Sequence, residues 1–429
     1  MSKYIVEGRK KLTGTVTPSG NKNEALATLV ACLLTDEPVT ISNIPQIADV
    51  LTMCEQLQKI GVKIEWTDET TVTLQAKDIF TNKLDPTLCS RIRASLLFMG
   101  PLLARTGKVE LPLPGGDLIG FRRIDTHWEG FLSLGVKFEF DGNIKARLEK
   151  KVAADVFLDE PSVTATENLL LFASSIEGTT TLHNAACEPH IVGLCNMLVS
   201  MGACIQGIGS NLLSIRGTKK LHGTSHTLGI DFMEVGSFLC LGAMADNDIT
   251  LKLDKSCIDS LHFILKVFSK IGVVPYEIGN DYIKISEHNS NHIKNDLGGR
   301  VPTIYSGPWP AFPTDLMSVA IVTASQKIGT VIFFEKMFEG RMFFTDRLMS
   351  MGANIVLCDP HRVVVTGPAR LRANDMSSPD VRAGMALLTA SLIAQGTSEI
   401  HNIYQIERGY YKIDEKLQQI GASIKKIED

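Results

Sequence analysis

The feature that most constrains this chain is an internal period that recurs six times. Each copy has an amphipathic stretch ending in a large apolar residue, then a glycine, then a short β-rich run. The copies read KIGVKIEW at Gly61, SLGVKFEF at Gly135, SMGACI at Gly202, KIGVVPYEI at Gly272, SMGANIVL at Gly352 and QIGASIKKI at Gly421. Successive glycines lie 74, 67, 70, 80 and 69 residues apart. A period of this kind means one supersecondary unit used repeatedly. A glycine just past a helix end supplies the positive φ that a side chain makes costly, so each unit reads helix, glycine cap, strand.

The rest of the unit repeats as well. Upstream of each amphipathic helix stands a turn-plus-strand segment: DEPVTISN, GKVELPL, EGTTTLHN, DNDITLKL, IGTVIFFE and QGTSEIHN. Before that comes a second helix that is small or apolar nearly all round, at Ala25–Leu34, Ala94–Ala104, Leu169–Ile176, Val235–Ala245, Leu316–Ala324 and Arg382–Ala394. Helices apolar on every side are core helices. The sixth copy ends at Asp429 without the second strand that NLLSIRG and HRVVVTG represent in other copies, and Ser2–Gly8 has the missing strand's pattern. The amino terminus is therefore expected to complete the last unit. This gives an α/β chain of two three-repeat domains, 21–229 and 1–20 plus 230–429, with buried internal helices.

Composition narrows the function. Across 429 residues, 43 Lys and Arg stand against 47 Asp and Glu, a formal charge of −4 that offers no electrostatic case for nucleic acid or an anionic membrane. Any phosphate site must be local. No apolar run approaches the roughly 18 residues that span a bilayer, and MSKYIVEGRK lacks a signal peptide's apolar core, so a cytoplasmic location is expected. Nine scattered cysteines without a C-x-x-C pair read as buried reduced thiols.

The loops that open the apolar helices carry charge: Lys22 and Asn23 in SGNKNEA, Arg91 and Arg93 in SRIRAS, Ser162 and Glu167 in PSVTATEN, Asp231 and Glu234 in GIDFMEVG, Asp315 in AFPTD, Asp380 and Arg382 in PDVRAG. Ser and Asp at such positions are ordinary N-caps worth about 1 kcal/mol. Lys22, Arg93 and Arg382 point elsewhere, because a cation at the positive end of a helix is unfavourable unless an anion sits there. Two domains presenting such loops imply a polyanionic substrate. His288 and His292, in SEHNSNHIKND, have metal-pair spacing but read as a solvated loop.

The ordered set S-G-N-K-N, R-x-R-A-S, P-G-G-x-x-I-G-x-R, A-F-P-T-D, F-E-x-R, D-x-R-A and I-x-R-G-Y resembles the enolpyruvyl transferase family, from Lys3 to Asp429. Within it the resemblance is to the branch that acts on UDP-N-acetylglucosamine rather than the shikimate-phosphate branch. It implies an inside-out α/β barrel of six βαβαββ-type repeats and a mobile loop at 114–122. It also implies transfer of the enolpyruvyl group of phosphoenolpyruvate to the sugar 3′-hydroxyl with loss of phosphate, in peptidoglycan precursor synthesis, with no metal or cofactor. By the same resemblance, Lys22, Arg122 and Arg408 hold the phosphoenolpyruvate phosphate, and Arg341 and Arg382 lie near its carboxylate. Asp315 is the candidate base. Asn23, Arg93, Arg122, Asp125, His127, Ser162, Val163 and Asp315 line the sugar-nucleotide site. Glu188, Asp231 and Asp380 match polar positions near the cleft, where capping is an equal alternative.

Several positions depart from the family pattern. Asp117 stands where most members carry a loop cysteine tied to proton delivery and to attack by fosfomycin. A carboxyl replaces a thiol as an acid only while protonated, and aspartate ordinarily titrates near ~3.9. Glu160 replaces a lysine, Phe232 an arginine, Arg123 a proline and Gly340 an asparagine. These keep two alternatives open: transfer to another uridine nucleotide, and a catalytically silent nucleotide-binding paralogue.

Overall fold

The computed structural model describes residues 2–117 and 119–428, with the backbone alone at Asn289. The six glycines that end the amphipathic helices all have positive φ, from 73° at Gly272 to 114° at Gly61. The chain forms two compact units. One comprises Gly20–Asp117 and Arg123–Gly229, here the first unit; the other comprises Met1–Ser19, Leu118–Arg122 and Ile230–Asp429, here the second.

Among the described residues each unit holds three separate sheets, and none of the six closes into a barrel. One pattern generates all six. In the sheet of Asp155–Phe157, Gly178–His183, Leu212–Gly217 and Cys204–Gln206, the first two strands are parallel and the last two form an antiparallel hairpin against them. Thr303–Tyr305, Gly329–Phe334, Arg362–Gly367 and Asn354–Asp359 repeat this order in the second unit. In the last sheet Lys3–Glu7 takes the hairpin position, antiparallel to both Thr397–His401 and Ser423–Ile427. The sheet of Lys108–Pro112, Asn143–Leu148 and Val136–Phe140 has three strands, its parallel edge reduced to one bridge between Lys83 and Glu110.

Two parallel edge strands are exchanged along the sequence. Thr13–Val16 pairs with Asp248–Lys252, and Ser225–Thr227 pairs with Val39–Ser42. The first repeat of each unit therefore borrows its edge from a distant part of the chain, which local patterning does not reveal.

The apolar helices are buried, as their all-round hydrophobicity requires. All thirteen residues of Val381–Ile393 and all eight of Met317–Ala324 are buried. The helices expected at Ala25–Leu34 and Val235–Ala245 begin and end three residues earlier, at Lys22–Ala31 and Phe232–Gly242, and two others differ more. The helix expected at Leu169–Ile176 runs Val163–Ala173, because Ser162 caps it and Thr166, Glu167 and Asn168 are buried despite their polarity. The helix expected at Ala94–Ala104 is 3-10 over Arg93–Phe98 and α over Met99–Thr106. Pro101 lacks the N–H that would bond back to Leu97, which interrupts the α ladder there.

Three turn segments end in an asparagine in the left-handed region, Asn43, Asn184 and Asn402. Each side-chain amide donates to a carbonyl at or just beyond the end of the parallel edge strand of its own sheet, on Leu228, Leu158 and Ser378 at 2.9–3.0 Å. This bond fastens the turn to the loop that opens the buried helix. No described helix is long and apolar enough to cross a membrane.

Candidate active site

In the second unit the charged loops converge on Asp315, in the turn Thr314–Leu316. Its Oδ1 accepts from Arg341 Nη2 at 2.8 Å and its Oδ2 from Arg382 Nε at 2.9 Å. Both arginines are buried, at 3% and 5% exposure. Asp380 caps Val381–Ile393, accepting from the backbone N–H groups of Arg382 and Ala383, and lies 3.8 Å from Arg341 Nη1. The Arg382 guanidinium sits 5.4 Å from the centre of the Tyr410 ring, and the Tyr410 hydroxyl is 3.1 Å from Ser237. Burial raises the Tyr410 pKa, keeping the phenol neutral against the cation. Arg408 is 6% exposed and donates to Gln405.

Two donors of this cluster, Arg341 Nε and Arg382 Nη1, are buried without a hydrogen-bond partner. Buried guanidinium N–H groups are costly to leave unpaired, so the cluster is complete only with an added acceptor. Beside it, Gly340 N–H donates to Ile119 O and Phe121 N–H to Glu339 Oε1, both at 2.9 Å. A Cβ on Gly340 would come 2.7 Å from the Ile119 carbonyl carbon, so the glycine is what lets these segments meet. Arg122 follows in the same segment, half-buried; Leu118 lies outside the described residues.

The first unit carries the remaining candidates. Lys22 opens Lys22–Ala31, and its ammonium is 2.7 Å from Asp49 Oδ2 with both side chains nearly buried. Asn23 is half-buried beside it. Arg93 Nη2 donates to the carbonyl of Arg123 at 2.7 Å. Arg123 reaches Asp125 at 3.2 Å and Asp159 at 2.8 Å. Ser162 caps Val163–Ala173, accepting from Ala165 N–H, and Val163 opens that helix. Asp117 is half-buried in the loop that follows the strand Lys108–Pro112.

These partners correct one inference. A cation at a helix start was taken to demand an external anion, but Lys22 has Asp49 and Arg382 has Asp315 as internal counterions. The demand for substrate rests instead on the two leftover guanidinium donors. Asp231 is seen as a cap, accepting from Met233 and Glu234 N–H, and Phe232 is a buried core residue. Glu188 precedes Pro189–Ser200 without a side-chain cap bond. Both His288 and His292 are exposed.

His127, expected in the sugar-nucleotide site, is 2% exposed and enclosed by protein. Asn168 Oδ1 accepts from Gly100 N–H, which fixes the amide so that its Nδ2 faces His127 Nδ1 at 3.1 Å. The histidine Nδ1 is thus the acceptor, and Nε2–H donates to Thr164 at 3.0 Å. Burial, helped by Arg93, pushes its pKa down to about 3. A neutral ring with both nitrogens engaged acts as a brace between helices.

Sequence reasoning did not find Asp49, Asp159, Tyr410 or Glu24, and gave Glu234 only as a charge in a helix-opening loop, not as a bond across a chain crossing. Glu24 accepts from Gly229 N–H at 3.2 Å and lies 2.8 Å from His226; Glu234 accepts from Ser19 N–H at 3.0 Å and is ion-paired with Lys416. Each stands three residues after a cap, Asn21 or Asp231, a coincidence visible on superposing the first and fourth repeats.

Buried helices opened by caps and charged side chains, wrapped by small sheets in two units, define a class of two-domain α/β transferase fold. An enolpyruvyl transferase from Streptomyces tendae, NikO, has this fold with a TM-score of 0.86 at 22% identity, covering 99% of this chain and 98% of its own. An EPSP synthase from Acinetobacter baumannii aligns at 0.74 with 17% identity over the whole of both chains. The family model for EPSP synthase (3-phosphoshikimate 1-carboxyvinyltransferase) matches residues 6–417. A UDP-N-acetylglucosamine 1-carboxyvinyltransferase of Borreliella burgdorferi is 50% identical over 100% of this chain and 99% of its own, and one of Bradyrhizobium diazoefficiens is 50% identical over 99% and 98%. The chain belongs to the enolpyruvyl transferase family.

Proposed function

We propose that this chain transfers the enolpyruvyl group of phosphoenolpyruvate to the 3′-hydroxyl of UDP-N-acetylglucosamine, releasing phosphate, in the cytoplasm at the first committed step of peptidoglycan precursor synthesis. The reaction is that of the full-length relatives. The structural observation that carries it is Asp315 gripped by two buried guanidiniums that keep two donors to spare.

Those donors, Arg341 Nε and Arg382 Nη1, suit the phosphoenolpyruvate carboxylate. Taking it up need not break either bond to Asp315. A carboxylate oxygen can accept more than one hydrogen bond, so Asp315 can take the sugar hydroxyl while both arginines hold it. The hydroxyl oxygen attacks C2 and passes its proton to Asp315, while C3 gains a proton from Asp117. C3 then gives a proton back to Asp117, the C2–O bond to phosphate breaks as the leaving phosphate takes up the proton held by Asp315, and the enol ether and inorganic phosphate are formed. Lys22, Arg122 and Arg408 neutralise the phosphate as it leaves. Asn23, Arg93, Asp125, Ser162 and Val163 belong to the sugar-nucleotide subsite. His127 braces it from behind.

A second reading, transfer to another uridine nucleotide, draws on one observation. Arg123 is already paired with Asp125 and Asp159, and Thr126 hydrogen-bonds toward Asp159 and Glu160, so this corner offers a diphosphate little free positive charge. Phosphate release across pH 5 to 9, with phosphoenolpyruvate and each acceptor, separates the two. Release with UDP-N-acetylglucosamine is expected; release with simpler uridine phosphates alone supports the second reading, and nucleotide binding without release defeats both.

A further inference from the structure

Resting on that reading, we infer that Asp159 is a positioning residue for the sugar-nucleotide subsite, because its one carboxylate holds both Arg123 and Thr126 of a neighbouring segment and, through Arg123, is linked to Arg93. Its Oδ1 accepts from the Thr126 hydroxyl at 2.8 Å, and its Oδ2 takes Arg123 Nη1 at 2.8 Å. Thr126 is 1% exposed, in the first turn of Asp125–Ser133, so this end of the staple is anchored in the core. The Thr126 bond and the Arg123 charge hold the Asp159 carboxyl below the usual range, which keeps it anionic.

The staple reaches the subsite by two routes. Arg123 is fixed at its guanidinium by Asp159 and Asp125, and its backbone carbonyl receives Arg93 Nη2 at 2.7 Å. The direction of the Arg93 guanidinium therefore depends on where Asp159 holds Arg123. In the other direction, Asp159 is followed by a tight turn in which Ser162 N–H donates to Glu160 O at 2.7 Å. That turn delivers the Ser162 cap and Val163 to the helix start. A cavity of about 310 Å³ lined by Ile124, Asp125, Trp128 and Glu129 adjoins this corner.

A surface ion pair alone contributes little to stability. A positioning role predicts something different, a loss confined to one substrate. The test uses Asp159→Ala and Asp159→Asn in the full chain, with steady-state kinetics for both substrates and calorimetric titration of UDP-N-acetylglucosamine without phosphoenolpyruvate. Asp159→Ala should raise KM and Kd for the sugar nucleotide about tenfold, as expected when a binding group is displaced. Its kcat and KM for phosphoenolpyruvate should stay within twofold. Asp159→Asn keeps one of the two contacts and should lie between, and Thr126→Val should reproduce part of the loss. Sugar-nucleotide affinity within twofold of wild type in Asp159→Ala, or equal losses for both substrates, overturns the inference. A wild-type chain that neither binds the sugar nucleotide nor releases phosphate overturns the functional reading itself, and that is read before any variant is made.

Discussion

Both units gather charge in the loops that open their helices, but in different surroundings. In the second unit Asp315, Arg341 and Arg382 form a cluster whose arginine side chains are buried, 3% and 6% exposed, and whose carboxylate is 26% exposed. In the first unit Arg123, Asp125 and Asp159 form an open one, with side chains 41%, 57% and 33% exposed. A largely buried cluster has fixed geometry and strong fields, which suits bond-making; an open one exchanges partners with water easily, which suits binding and release of a nucleotide. The difference also sets the size of each mutational effect.

The largest effect is expected at Asp315. Asp315→Ala strands two buried guanidiniums, a change that costs on the order of 3–5 kcal/mol. It also removes the base, which should lower phosphate release by roughly 10²–10⁴. Denaturant melts and a release assay check both. A stability loss under about 1 kcal/mol would mean that the cluster is solvated and the contrast with the first unit is void.

Asp117 tests the chemistry of the loop. Fosfomycin should fail to inactivate the wild type at concentrations that alkylate a cysteine form, because a carboxylate is a poor nucleophile toward the epoxide. Asp117→Cys should restore sensitivity and move the pH–rate profile upward. Time-dependent loss of wild-type activity that disappears in Asp117→Ala contradicts the first expectation, and an unchanged profile removes Asp117 from proton transfer.

The chain crossings give a matched pair within the same contrast. Glu234 is buried and ion-paired with Lys416, which also donates to Ser19 Oγ at 2.6 Å. Burial raises the Glu234 pKa and Lys416 opposes the rise. Lys416→Met should therefore destabilise by about 3 kcal/mol or more at neutral pH and less in acid, where Glu234 is protonated. The counterpart His226→Gln should cost less, since glutamine can still donate to Glu24. Equal losses in urea melts would refute that ranking.

His127 makes the first unit pH-sensitive from inside. Its folded pKa of about 3 lies below the ordinary value of 6.5, so the unfolded chain binds its proton first. The contribution to stability is complete above about pH 6.5 and erodes as pH falls toward 3, by up to about 1.4 kcal/mol per pH unit. His127→Gln should melt with a flatter acid limb than wild type between those limits. A parallel limb would mean that the ring is charged in the native state.

Much of the fold was legible because its signals are local. A glycine after each amphipathic helix, helices such as Val381–Ile393 without a polar face, and a missing strand matched by Ser2–Gly8 can each be read within a dozen residues. Lys22, Arg93, Asp315, Arg341, Arg382 and Arg408 were found as charges in motifs. What stayed hidden is the pairing: Asp49 for Lys22, Asp159 for Arg123, Tyr410 under Arg382. Those partners sit in other segments, and nothing in their own surroundings marks them. The burial of His127 stayed hidden for a related reason, since a histidine beside a binding motif looks the same in sequence whether it is exposed or enclosed.

The smallest effect is expected at Asp125, and it bears most directly on the contrast between the units. Its 3.2 Å contact with Arg123 is exposed, and Asp159 holds the same guanidinium from the other side. Asp125→Asn should change stability by no more than about 1 kcal/mol in either direction. If Asp125 accepts a hydrogen bond from the nucleotide rather than stabilising the fold, the same variant should still weaken sugar-nucleotide binding several-fold, and the loss should persist as ionic strength rises past about 0.15 M, where relief of its like-charge repulsion with the diphosphate is screened. A melt as damaging as that of Asp315→Ala would show that the open cluster is structural after all, and that exposure is a poor guide to how these two units divide their work.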